Sequence, residues 1–194
     1  MKSFALHKKI LNRHRVSGFT LTEVMIVIAI IGIMTTITVP SILSSLPDIR
    51  LRGAARDLYG VIMKAKGEAA KRNSNCTLVF NQIIGGTTFA YVLFEDNNPA
   101  TCTVGGRSSE YDNNLPTPTG EPIIVSQQQW PQGVSFNGST FPVNDDGLPS
   151  ISFKPNSIPT GNNCGLANGT VTLLNTNGRI KNIIINRSGN VRIN

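Results

Sequence analysis

The sequence predicts an α+β protein, with one long amino-terminal helix packed on an antiparallel β-sheet domain. Three observations predict it. Residues 19–39 are a long apolar run whose single charge is Glu23. Leu51, Ala55, Leu58, Ile62, Ala65 and Ala69 then recur at intervals of four and three, which is one face of an amphipathic helix. From Cys76 onward the pattern changes to short β-rich segments separated by Gly, Asn and Pro. A helical stretch followed by a run of strands is the order of an α+β chain rather than an alternating α/β one.

Residues 1–18 carry Lys2, Lys8, Lys9, Arg13 and Arg15 with no acid, and read as a cytoplasmic leader. Phe19–Val39 follows as the transmembrane half of the helix. As a helix it rises about 32 Å, close to the roughly 30 Å hydrocarbon thickness of a bilayer. Positive charge stays cytoplasmic, so the carboxy-terminal domain is expected to face outward. Glu23 is out of place in an ordinary anchor. A carboxylate at membrane depth costs on the order of 2.5–3.5 kcal/mol, so it is a functional candidate by default.

At these residues a family resemblance becomes specific. G-F-T-L-T-E (Gly18–Glu23), an apolar helix and then Pro40 resemble the class III signal of type IV prepilins and type II secretion pseudopilins. The resemblance implies a prepilin peptidase that cuts between Gly18 and Phe19 and methylates the new amino terminus of Phe19. It also implies that Glu23 pairs with that amine on a neighbouring subunit. A carboxylate and an ammonium are each costly buried alone and tolerable together. Two plainer readings compete. A secretory signal peptide is cleaved after its apolar region beside small residues, and Thr38-Val39-Pro40-Ser41 is a poor match. A plain signal anchor would let Glu23 snorkel to the surface. Neither accounts for Gly18-Phe19.

Residues 40–73 form the amphipathic half of the helix. Gly32 and Pro40 are expected to loosen or kink it, and Pro47 to add a second break. Arg52, Arg56, Lys64, Lys66 and Lys71 lie mostly off the apolar stripe. Gly53, Gly60 and Gly67 recur every seven residues, for close packing on another helix or for local flexibility. Asn73-Ser74-Asn75 ends the helix, and residues 74–194 form the β-rich periplasmic domain. Strands are expected at Thr77–Phe80, Thr88–Glu95, Pro122–Ser126, Val134–Phe136, Phe141–Val143, Ser150–Phe153, Thr170–Asn175, Arg179–Ile185 and Val191–Ile193. Gly85-Gly86, Thr176-Asn177-Gly178 and Ser188-Gly189-Asn190 read as turns. Residues 96–121 and 155–169 read as loops.

The formal net charge of +7 is concentrated in the leader and is otherwise segregated. Residues 50–72 hold seven basic and two acidic groups, residues 73–170 two basic and seven acidic. Residues 171–194 hold Arg179, Lys181, Arg187 and Arg192 with no acid. Such a basic tail meets an anion or is simply solvated. Three cysteines, Cys76, Cys102 and Cys164, permit one bridge and one free thiol. Cys102 and Cys164 both lie in loop-like surroundings and Cys76 opens an apolar strand, so Cys102–Cys164 is the favoured bridge. No C-x-x-C exists, so metal or redox use is not expected. Both histidines, His7 and His14, lie in the leader, so a processed chain has no histidine for a triad or metal site. There is no P-loop, G-x-S-x-G or H-E-x-x-H. Asp145-Asp146 reads as a turn rather than a catalytic dyad, and calcium there or at Asp96-Asn97-Asn98 lacks the ligand spacing. An enzyme is not expected, nor a cofactor.

Within the pilin superfamily the chain is identified as resembling the GspH/FimT family. The resemblance rests on the signal, on the Ala54–Asn73 helical run and on Gly178–Ile193. It implies a minor type IV pilin of the FimT/FimU kind, or the minor pseudopilin H of a type II secretion system. Either would sit first in the bacterial inner membrane, among its lipids, and then in a filament with other pilins or pseudopilins. FimT-like members also bind DNA through a carboxy-terminal G-R-x-R motif. Here that stretch is Gly189-Asn190-Val191-Arg192, with Asn190 in place of the first arginine. Arg179, Lys181, Arg187 and Arg192 are therefore the candidate DNA contacts. The two-residue spacing of Arg179 and Lys181 predicts a shared strand face.

Overall fold

The computed structural model describes residues 18–96, 122–144, 146–161 and 165–194. The chain divides into two compact units, residues 1–43 and 44–194. One helix, α1 (Leu21–Arg72), contributes to both. Helical conformation persists through Gly32, Pro40 and Pro47, so the break expected at Pro47 does not occur. A proline removes only one ladder donor, and the turns on either side keep theirs.

In the first unit residues 21–43 are helix with large apolar side chains exposed throughout, among them Leu21, Ile33 and Ile37. An 18-residue window has mean hydropathy 2.4, long and apolar enough for a membrane span. Its hydroxyls turn back on the helix. Thr35 Oγ1 donates to the Ile31 and Gly32 carbonyls, both at 3.0 Å. Thr36 Oγ1 reaches the Gly32 carbonyl at 2.8 Å, and Thr38 Oγ1 the Met34 carbonyl at 2.8 Å. Where no water is available, polar groups have to be satisfied inside the segment in this way.

In the second unit the helix buries Leu51, Ala54, Ala55, Leu58, Ile62, Ala65 and Ala69, the expected stripe with Ala54 added. Leu58 and Ile62 are fully buried, each contributing about 1.5–3 kcal/mol relative to exposure. The helix ends in a left-handed cap. Asn73 has φ 53°, and the Ser74 N–H donates to the Ala69 carbonyl at 3.3 Å, the six-to-one bond of a Schellman closure.

Eleven strands follow: β1 (Asn75–Phe80), β2 (Ile83–Ile84), β3 (Thr87–Thr88), β4 (Tyr91–Asp96), β5 (Ile123–Gln127), β6 (Val134–Ser139), β7 (Ser150–Phe153), β8 (Pro159–Thr160), β9 (Gly169–Asn175), β10 (Ile180–Ile185) and β11 (Val191–Ile193). They form a five-stranded sheet in the order β5-β4-β1-β7-β8, a four-stranded sheet in the order β11-β10-β9-β6, and the β2–β3 hairpin. All the pairings are antiparallel. The α1 stripe, Leu78, Phe80, Leu93, Ile151 and Phe153 of the larger sheet, and Val171, Leu173, Ile183 and Ile185 of the smaller share one core. The fold is thus α+β and pilin-like. The far face of the larger sheet buries Val79, Val92 and Phe94 beneath Ile84, Phe89 and Leu148. With both faces covered, β1 is buried at every position, and its buried Thr77 hydroxyl donates to Ser152 Oγ at 2.9 Å.

Three expected segments differ. The Thr88–Glu95 strand is split: Thr87–Thr88 turns back on Ile83–Ile84 through Gly85-Gly86, both at positive φ, and the main strand starts at Tyr91. Phe141–Val143 is no strand. Phe141 is buried and Val143 keeps a single bridge to Pro149, since Pro142 has no N–H for a ladder. The 155–169 stretch contains the short β8. The long loop expected at 96–121 lies, apart from Asp96, outside the described residues.

Candidate functional site

The start of α1 is built by four residues. Gly18, Phe19 and Thr20 precede the helix, and Phe19 is 87% exposed. The first turn of a helix leaves four N–H groups without an intrahelical acceptor. Thr20 and Glu23 satisfy two of them reciprocally. The Glu23 N–H donates to Thr20 Oγ1 at 3.2 Å, and the Thr20 N–H donates to Glu23 Oε2 at 2.9 Å. The Thr20 hydroxyl also donates to Glu23 Oε2, at 3.0 Å. Thr-x-x-Glu is a capping box. That signal stands in the sequence as Thr20-x-x-Glu23, whereas the subunit-pairing expectation for Glu23 comes from the family resemblance. Within its own chain the carboxylate closes the exposed backbone at the helix start. Both partners lie on the carboxy-terminal side of the Gly18–Phe19 bond.

The carboxy-terminal basic residues rest on two similar turns. In Asn175–Arg179 the Gly178 N–H donates to the Asn175 carbonyl at 3.0 Å and the Asn175 N–H to the Arg179 carbonyl at 2.9 Å. In Asn186–Asn190 the matching bonds are Gly189 N–H to Asn186 O at 2.9 Å and Asn186 N–H to Asn190 O at 3.1 Å. The asparagine side chain braces each turn: Asn175 Oδ1 accepts from the Asn177 and Arg179 amides, and Asn186 Oδ1 from the Asn190 amide. Gly178 and Gly189 supply the left-handed position. Gly189 is needed for a second reason. A Cβ there would lie 2.7 Å from the Ser157 carbonyl oxygen. Lys66 Nζ of the helix donates to the Gly189 carbonyl at 2.9 Å, which pins this turn onto α1.

The four candidate DNA contacts do not act as one set. Arg179 stands one residue before β10 and lines one depression with Lys181. Its guanidinium is 2.9 Å from Asp48 Oδ2. Lys181 lies opposite Leu173, on the core-facing side at the sheet margin, and lines a depression with Arg52, Ala55, Arg56 and Ile193. Arg187 and Arg192 line neighbouring depressions. Arg187 Nε donates to Asn168 Oδ1 at 3.3 Å, and Arg192 is exposed opposite Ile184. The two depressions share Ile184 and Asn186. Arg52 and Arg56, off-stripe in the sequence, were not expected at any site; their i, i+4 spacing on the flank facing β10 was the available signal.

Cys76 is buried and free, and burial pushes its thiol up to about 11. The expected Cys102–Cys164 bridge lies outside the described residues, as does Asp145.

An exposed apolar helix opening at Gly18-Phe19 with a glutamate in its first turn, continued by a helix packed on antiparallel sheets, defines a pilin-like protein. The prokaryotic N-terminal methylation motif matches residues 13–39. The family described as type II transport protein GspH matches residues 54–189. The chain belongs to the GspH family. No match was found among curated proteins or among solved structures. The chain is therefore a type IV pilin-like or pseudopilin-like protein. Its methylation motif implies processing by a prepilin peptidase and assembly with other pilins or pseudopilins.

Proposed function

We propose that the protein is a minor type IV pilin of the FimT/FimU kind. It is cut between Gly18 and Phe19, methylated at Phe19, held in the bacterial inner membrane by residues 19–39 and then incorporated in or at the tip of a filament. The observation that carries this is the methylation motif placed at the start of an exposed, self-capped apolar helix. Residues 74–194 face the periplasm before assembly. Glu23 serves twice: it caps its own helix, and its charge pairs with the Phe19 amine of a neighbour, which sets axial register. The protein acts by assembly rather than as an enzyme. Intact-mass analysis from a native host is expected to show a chain beginning at methylated Phe19. A full-length chain, or cleavage near Val39, would refute this reading. Recovery in a type II secretion filament rather than a pilus would make it the pseudopilin H.

A DNA-binding role is the second reading, favoured by the adjacent Arg187 and Arg192 depressions. With Arg179 held by Asp48 and Lys181 apart from this pair, about two phosphate contacts remain, for a log–log salt slope near −2 on duplex. Replacing Arg187 and Arg192 together is expected to abolish such binding. Absence of any binding at low salt removes the reading.

A further inference from the structure

Four cations of the carboxy-terminal half of α1 already hold partners. Arg50 donates to the Gln132 carbonyl at 3.2 Å, Lys66 to the Gly189 carbonyl, Lys71 is 4.0 Å from Glu68, and Arg72 bonds both Glu68 and Glu95. Among the described residues Arg52 and Arg56 hold none. They stand one turn apart on the flank of the helix, a like-charge spacing that disfavours the helix itself. Lys181 approaches the same depression, of about 310 Å³, from β10. None of the three makes an ion pair with a carboxylate among the described residues. A second depression of about 400 Å³ shares Arg52 and Lys181, and Leu51 and Ile180 line it.

We propose that the groove between α1 and β10, lined by Arg52, Arg56 and Lys181, docks an acidic peptide segment of a neighbouring protein subunit. Two arginine forks and an ammonium converging on one depression fit carboxylates, which guanidinium groups bind through paired hydrogen bonds. Ala55, Ile193 and Leu51 give the groove apolar walls, which suit the side chains between carboxylates. The groove is unsuited to a continuing phosphate track, because Asp48 lines its far end and already holds Arg179. That the partner is a filament subunit rests on the proposed pilin role; the groove chemistry does not.

The test uses the full chain in detergent micelles and fluorescence anisotropy of a labelled Leu-Glu repeat peptide. Its Leu-Gln counterpart and a short DNA duplex are run alongside. The Leu-Glu peptide is expected to bind, the Leu-Gln peptide not. The triple variant Arg52→Gln, Arg56→Gln, Lys181→Gln is expected to weaken binding by roughly tenfold or more, with an unchanged unfolding midpoint, and Lys64→Gln to leave it as it is. Binding that survives the triple variant overturns the proposal. So does duplex that binds more tightly than the peptide and is lost with the triple variant, which would make the groove a phosphate site. In sheared filaments, carbodiimide is expected to join Lys181 to an Asp or Glu of another chain. A Lys181 that stays unjoined and open to acetylation there overturns docking. Absence of the chain from filaments defeats the pilin role instead, and the titration then decides the groove.

Discussion

In residues 18–43 the large apolar side chains point outward and the hydroxyls inward. Ile37 is 74% exposed while Thr36 and Thr38 bond their own helix backbone. In residues 44–194 the arrangement reverses. Leu58, Ile62, Phe80 and Ile183 are fully buried, and charged groups pair at the surface, as Arg72 does with Glu68 and Glu95. A hydrocarbon solvent favours the first arrangement and water the second. The stability of the two regions therefore depends on different things. The first is governed by satisfied backbone and helix capping, the second by packing and ion pairs. Substitutions that act on one should leave the other unchanged.

The largest expected effect falls on the packed region. Phe80 stacks on Phe136 with ring centroids 5.5 Å apart and lies 6.2 Å from the Phe141 ring. Phe80→Ala is expected to cost about 3–5 kcal/mol, read by chemical denaturation followed through Trp130 fluorescence. Membrane association of the variant should be unchanged; its loss would break the comparison. Next comes Gly169, where a Cβ would sit 2.1 Å from the Phe141 ring. Gly169→Ala forces that buried ring to move, for about 1–3 kcal/mol, again with membrane association intact.

On the other side, Thr20→Val removes one half of the capping box and is expected to cost about 1 kcal/mol of helix stability. Hydrogen exchange of the first turn in micelles should show faster opening at Thr20–Glu23 and no change in the sheets. Glu23→Gln separates capping from the proposed subunit pairing, because glutamine keeps the box and loses the charge. Normal helix-start protection with poor filament incorporation is expected, whereas Glu23→Val should lose both. The smallest effect is a pH dependence. The Arg72 guanidinium holds the Glu68 carboxyl below the usual glutamate value. Its contribution to stability is complete above the unfolded value of about 4.3 and is lost as pH falls through the lower folded one. Titration of Arg72→Gln should show a shallower acid limb than the parent chain.

The amphipathic stripe was legible residue by residue because helical spacing is set by local geometry. The two-layer strand order was not, since β1 next to β4 and β7 depends on contacts far apart in the sequence. The two-residue spacing of Arg179 and Lys181 does bring them to one depression, but the capture of Arg179 by Asp48 of the helix was not legible, because it joins residues far apart in the sequence. Arg52 and Arg56 were visible as charges, but that they meet Lys181 is decided only by packing of α1 against β10. Gly53, Gly60 and Gly67 have open space where a Cβ would stand, so their spacing has no cause within the second unit's core.

The turn that joins β9 to β10 also sets how the protein ages. Asn177-Gly178 is a dipeptide whose side-chain amide is readily lost by spontaneous cyclisation, one reason asparagine counts as thermolabile. The attacking nitrogen, that of Gly178, is engaged with the Asn175 carbonyl at 3.0 Å, and Asn177 Nδ2 is held by the Ser44 carbonyl at 3.0 Å. The folded turn thus protects the bond, and deamidation there records time spent open. The damage would not be silent. Asn177 Nδ2 lies 3.5 Å from Asp48 Oδ1, so the aspartate formed would repel Asp48 and compete for Arg179, loosening the turn from the helix.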